Sequence, residues 1–214
     1  MAKIEKSQYK KIKKMYTEGN TMSDIAKYFK VPLDAIVYAM RKAKIPRRSM
    51  SMVQKIRFIK KPASFQIRKI NNEKSKKILI AGLMLYWAEG YKTSKSSGVD
   101  FANSDSDMII TFMKFLRTCY KLDEKRLHVL LYCYNDQSIS ELMQFWSKKT
   151  GIPSEQFSKP YVREKINTNS RQMKYGLVHI RYSDKKLIFD ILKRINILKK
   201  ELCVGGGVVY HRSL

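Results

Sequence analysis

Residues 78–92, ILIAGLMLYWAEGYK, limit what this chain can become more than any other stretch. They form an uninterrupted apolar run that closes on an acid and a glycine, Glu89-Gly90. The run reads as an apolar helix over residues 76–89. A carboxylate is poorly placed at its end, because the C-terminus of a helix already carries partial negative charge. Lys92, a metal ion or solvent has to offset it. In a chain of formal net charge +26, that lone acid is the strongest candidate for chemistry rather than solubility.

The charge itself points to the partner. The chain has 44 Lys and Arg against 18 Asp and Glu, which implies a polyanion: nucleic acid first, an anionic membrane second. No apolar run reaches the roughly 18–20 residues that span a bilayer, and the start, MAKIEKSQYKKIKK, has no apolar signal region. A cytoplasmic, nucleoid-associated protein with no membrane partner is expected. Cys119, Cys133 and Cys203 are scattered and odd in number, which suits reduced, buried thiols. None of the three histidines lies near another or near a cysteine in the sequence, which argues against a His/Cys metal site.

The 214 residues, 44% of them hydrophobic, suffice for a core and for a small domain beside a medium one. Residues 1–75 hold 20 basic and 5 acidic side chains, and residues 76–214 hold 24 and 13. The first third is therefore the denser electrostatic footprint. We expect a helix-turn-helix domain over 1–50, a basic linker over 51–75 containing Pro62, a larger domain over 76–200 and a C-terminal extension over 201–214, with the boundary near residue 72. The glycines of the tail, CVGGGVVYHRSL, make no phosphate loop, since no GK[ST] follows.

Three short helices are expected in the first domain, about 8–17, 22–29 and 33–44. Thr21 and Asp24 are spaced as a capping box, and Pro32 suits entry into the third helix. Ala26 is small where two helices must approach, and Ile25, Phe29, Val31, Ile36 and Met40 supply a shared apolar seam. The layout resembles the helix-turn-helix of resolvase- and regulator-type DNA-binding domains, with Lys30 where the turn usually carries a glycine. The resemblance implies a third helix in the major groove, presenting Asp34, Val37, Tyr38, Arg41 and Lys42. Arg47 and Arg48 would form a basic arm on the minor groove or phosphates.

The larger part alternates helix and strand. Expected strands are 99–102, 126–134, 161–166 and 176–182; expected helices are 105–120, 139–150 and 184–198. In 126–134, Leu127, Val129, Leu131 and Cys133 point one way, and Arg126, His128, Leu130, Tyr132 and Tyr134 the other. In the last strand Val178, Ile180 and Tyr182 oppose His179 and Arg181. Ser104 and Asp107 are spaced to cap the second helix.

Residues 82–90, GLMLYWAEG, resemble the motif of the LAGLIDADG homing endonuclease family. Leu85, Ala88 and Gly90 match in place, and Glu89 stands at the last acid. Met84 replaces the motif's glycine and Trp87 its first aspartate. FANSD, QFWSKKTGIP and FSKPYV also look like phrases of bacterial and archaeal proteins that join a helix-turn-helix to such a domain. The resemblance implies an α+β fold: an all-α helix-turn-helix domain followed by a LAGLIDADG-like αββαββα domain with an antiparallel DNA-binding sheet.

It also implies a homodimer whose motif helices meet on a twofold axis through Ala81, Gly82, Leu85 and Ala88. The two Glu89 carboxylates would bind Mg²⁺ or another divalent metal, with backbone carbonyls such as that of Ala88. Lys92 or Lys174 would stabilise charge at the scissile phosphate. Arg126, His128, Arg163, Lys165, His179 and Arg181 would lie on the sheet's DNA face. The activity implied is site-specific, Mg²⁺-dependent cleavage of double-stranded DNA, in a protein encoded in or beside a mobile element. The alternative is a transcriptional regulator with an inactive LAGLIDADG-like domain, favoured by Trp87 and Met84. An RNA-binding maturase shares fold and charge, but the helix-turn-helix argues against it, because the A-form major groove is too narrow for a recognition helix.

Overall fold

In the computed structural model, which describes residues 4–93, 96–164 and 173–203, the chain divides into Met1–Pro62 and Ala63–Leu214. The expected boundary near residue 72 lies inside the second unit.

Helices α1 (Tyr9–Thr17), α2 (Met22–Phe29), α3 (Leu33–Lys42) and α4 (Met50–Lys60) build the first unit. The Thr21 backbone N–H donates to Asp24 at 2.9 Å and the Asp24 N–H to the Thr21 hydroxyl at 3.0 Å, closing the capping box. Lys30 ends α2 in the left-handed region, at φ 54°, so a lysine does serve where a glycine would be unstrained. Ile12, Tyr16, Ile25, Ala26, Ile36, Ala39, Met40 and Ile45 form a buried core. Helix α4 occupies the stretch read as linker. It is capped by Ser49 and buries no residue of its own, which is why no apolar period marked it in the sequence. Lys60 ties it to Asp24 at 3.6 Å.

The second unit is mixed α and β. Its chain order is β1 (Phe65–Ile67), α5 (Glu73–Glu89), β2 (Val99–Asn103), α6 (Ser106–Cys119), β3 (Tyr120–Leu122), β4 (Leu127–Tyr134), α7 (Ile139–Thr150), β5 (Tyr161–Arg163), β6 (Leu177–Tyr182) and α8 (Lys185–Cys203). The main sheet has the order β2-β6-β4-β5, and β1 pairs with β3 as a separate ribbon. Strands β2, β6 and β4 are antiparallel neighbours, but β5 runs parallel to β4. A wholly antiparallel sheet was expected. Between α5 and α6 one strand is found among the described residues, where the resemblance implies two. Asp105, rather than Ser104, caps α6, accepting from the N–H groups of Asp107 and Met108.

The side-chain parity of the strands is as expected. Val99 and Phe101, then Leu127, Val129, Leu131 and Cys133, then Val178, Ile180 and Tyr182 are all buried on one face, in the core shared with α5, α6, α7 and α8. Helix α5 approaches α6 closely because Gly82 has no side chain: a Cβ there would stand 2.0 Å from Cγ of Phe115. The approach lets Tyr86 lie over Phe112, which stacks on Phe101 of β2 at 4.2 Å between centroids. Cys119 and Cys133 are buried free thiols, while Cys203 is exposed; burial pushes the Cys119 thiol up to about 11.

Gly82→Ala is expected to destabilise the protein by about 1–3 kcal/mol through overpacking against Phe115. That loss outweighs the gain of about 1 kcal/mol that alanine brings to an ordinary helix position. Urea unfolding measures the balance, and a variant as stable as the parent refutes the close approach.

Candidate functional site

The end of α5 is anchored on both sides of Glu89. The Gly90 N–H donates to the Tyr86 carbonyl at 2.9 Å, and the Tyr91 N–H donates to the Asp100 carbonyl at 2.9 Å. Gly90 bridges to Phe101 on β2, and the Tyr86 hydroxyl donates to the Tyr91 carbonyl at 2.9 Å. A Cβ on Gly90 would meet the Tyr86 ring and carbonyl at 2.5 Å, so the glycine permits this tight exit. Burial pushes the Tyr86 phenol far up, which keeps it a neutral donor.

Glu89 and Ala88 are both exposed. Among the described residues the Glu89 carboxylate makes no hydrogen bond or ion pair, and it acts on Lys92 through its charge. Lys92 meets the helix end instead: its ammonium donates to the Trp87 carbonyl at 2.6 Å. It therefore answers the negative helix terminus directly and the carboxylate only through space. Burial first, then the charge of Lys199, lowers the Lys92 pKa, and Glu89 opposes the shift. Lys199 of α8 stands 4.6 Å from the centre of the Trp87 ring. Lys174 does not join this cluster. Its ammonium lies 5.1 Å from the Tyr175 ring and its carbonyl accepts from Gln137, neighbours it does not share with Glu89.

The outer side of α5 carries an apolar stripe. Ile80 and Met84 are 48% and 41% exposed, Ala88 is exposed, and Ala81 and Leu85 are half-buried beside them. Gly82 is not part of this stripe. It faces Phe115 within the same chain, so its smallness is spent inside the fold rather than on the outer side. Among the described residues no three His, Cys, Asp or Glu side chains are grouped to hold a metal ion. No described helix is long and apolar enough to cross a membrane.

The sheet face opposite the core is only partly buried. Register aligns Asp100, Arg181 and His128 in one cross-strand row and Ala102, His179 and Leu130 in the next. Asp100 receives His179 Nδ1 at 2.8 Å and Arg181 Nε at 2.9 Å. Burial pushes the Asp100 carboxyl up, but the His179 hydrogen bond and the charges of His179 and Arg181 outweigh it and hold the pKa below the ordinary value. A carboxylate only accepts, so Nδ1 of His179 carries the proton and Nε2 is the nitrogen left for a ligand. Asp100 was not marked in the sequence, although the 99–102 strand and its register contained it.

Beyond that row the face is aromatic. Tyr132 lies 5.1 Å from both Tyr161 and His179, ring to ring. The Arg163 guanidinium stands 5.5 Å from the centre of the Tyr161 ring. Arg126 is not on this face. It precedes β4 in a short 3-10 turn, where it donates to the Ser183 carbonyl at 2.8 Å. Lys165 lies outside the described residues.

In the first unit, Asp34, Tyr38, Arg41 and Lys42 are exposed on α3 while Ile36, Ala39 and Met40 are buried; Val37 is half-buried. Arg41 and Lys42 lie 5.7 and 5.6 Å from the centre of the Tyr38 ring. Arg47 is exposed. Arg48 is a structural residue instead of half of a basic arm. Its guanidinium donates to the Asn20 carbonyl at 2.9 Å and lies 3.9 Å from the Tyr16 ring centre, and its backbone N–H donates to the Tyr16 hydroxyl at 3.0 Å.

A carboxyl whose pKa is lowered on folding contributes stability above its unfolded value, about 4, and loses it as pH falls through the lower folded value. Asp100→Asn is therefore expected to cost about 1–2 kcal/mol at pH 7, with the difference from the parent shrinking as the pH falls below about 4. Thermal melts across that range measure it, and a difference that stays constant on acidification contradicts the assignment. No family model, curated protein or solved structure matches this chain.

Proposed function

We propose that the protein is a site-specific double-stranded DNA endonuclease of the LAGLIDADG type. It acts as an Mg²⁺-dependent homodimer, with the helix-turn-helix unit lengthening the recognised site. The observation that carries this reading is Glu89, an exposed carboxylate beside Lys92 at the end of a helix whose outer side is apolar. Contiguous apolar surface on a helix calls for a covering partner. A second copy of α5 packed along Ile80, Ala81, Met84, Leu85 and Ala88 covers it and brings the two Glu89 side chains together.

The donors suit the metal. A Glu89 carboxylate and an Ala88 carbonyl are hard oxygen ligands of the kind Mg²⁺ takes, and the set is complete only with the second copy. When bound, divalent metal supplies water activation and leaving-group stabilisation for phosphodiester hydrolysis. The chain's own part is to hold the carboxylates at the sheet edge, with Lys92 adding positive charge beside the phosphate. The exposed Tyr38, Arg41 and Lys42 on α3, with Arg47 just beyond it, support duplex contact by the first unit.

One observation favours a DNA-binding regulator without cleavage. Trp87, at the motif's first acid, offers an indole beneath Lys199 in place of a carboxylate.

Incubation of the protein with Mg²⁺ and duplexes selected for binding is expected to yield double-strand cuts. Glu89→Gln is expected to lower the cutting rate by at least about a hundredfold while leaving duplex affinity within about twofold. Binding without cutting by the parent protein selects the regulator. Sedimentation of the DNA complex is expected to show two protein chains per duplex; a single chain rules out a site made of two Glu89 carboxylates.

A further inference from the structure

We propose that the open sheet face holds an unpaired nucleobase against Tyr132 and Tyr161, with Arg163 beside the stacked base. The inference goes beyond duplex cleavage. It rests only on the nucleic-acid part of the preceding reading.

Register sets the composition of this face. Tyr132 pairs with Tyr161 and with Leu177, and Tyr134 pairs with Arg163, so these side chains share the side of the sheet that carries His179. A cavity on this side is lined by Tyr132, Tyr134, Arg163, Met173, Leu177 and His179. The Tyr132 ring is tilted 46° to that of Tyr161 and 38° to that of His179. Rings tilted in this way are not sealed by one another, and Tyr161 keeps 53% of its surface exposed.

The part of this face around Tyr132 and Tyr161 is equipped for ring faces rather than for base edges. Major-groove readout needs long polar side chains aimed at base edges, and the Arg181 guanidinium is held by Asp100. In a duplex the faces of the bases are buried in the stack; only an unpaired base offers one to a tyrosine. Stacking on aromatic side chains flanked by arginine is how single strands are bound without regard to sequence. The net charge of +26 supplies attraction for the phosphates.

The same chemistry is offered by single-stranded DNA and by unpaired RNA, and the test separates them. The full chain is titrated into fluorescein-labelled dA15, rA15 and a dA15·dT15 duplex at one salt concentration. Tyr161→Ala and Tyr132→Ala are each expected to weaken single-strand binding about tenfold and duplex binding less than about twofold. Tyr161→Phe is expected to bind like the parent, since stacking uses the ring and not the hydroxyl. Loss confined to dA15 or to rA15 names the strand recognised, and loss on both supports a shared site. Tyr161 is on an exposed edge strand, so its variant keeps the test decisive where Tyr132→Ala lowers the melting temperature. The proposal is overturned if the parent binds neither single strand, if Tyr161→Ala binds them unchanged, or if single-strand and duplex affinities fall together. A parent that binds single strands through Tyr161 but binds no duplex removes the endonuclease reading and leaves this one standing.

Discussion

The contact of Gly82 with Phe115 sets the geometry on which the second unit depends. Two helices come this close only where no side chain stands between them. The approach places Tyr86 over Phe112 and, through it, over Phe101 of the sheet. Gly90 then bridges to Phe101, and the helix ends where the sheet edge begins. Glu89 is thus positioned by a chain of packed rings. The same packing decides which side of α5 is left uncovered, and so where Ile80, Met84 and Ala88 lie.

Electrostatics divides the sheet face into two parts. In one row Asp100 gathers His179 and Arg181, so its acid and two basic groups satisfy each other in a half-buried setting. A hydrogen bond to an ionised partner in such a setting outweighs the cost of burial, which is why the carboxyl pKa falls. Farther along, Arg163 stands beside the rings of Tyr132 and Tyr161. One end of the face is thus compensated charge, and the other is exposed aromatic surface.

Much of the local structure was legible in residue order. Strict alternation in 127–134 and 177–182 placed each side chain on the correct face, because a period of two leaves no ambiguity once one face is buried. Thr21 and Asp24 fixed the start of α2, because a reciprocal cap needs only that spacing. Helix α4 and strand β1 were not legible. The helix buries none of its residues, and the strand has only three, so neither leaves a period to read. Arg47 and Arg48 are adjacent and chemically alike, yet only Arg48 meets the Tyr16 ring; nothing in the dipeptide distinguishes them.

By itself, the sequence determined that residues 78–89 form an apolar helix ending on an acid, that a basic helix-turn-helix layout precedes it, and that two strands alternate cleanly. These follow from local spacing, cap chemistry and charge. The tertiary structure alone decided which side of that helix faces its own core. A run that is apolar all round carries no directional signal, and packing assigned Gly82 to Phe115 and left Ile80, Met84 and Ala88 on the outer side. It alone also joined Asp100 to His179 and Arg181, and Tyr132 to Tyr161, because those pairings come from strand register across segments far apart in the chain.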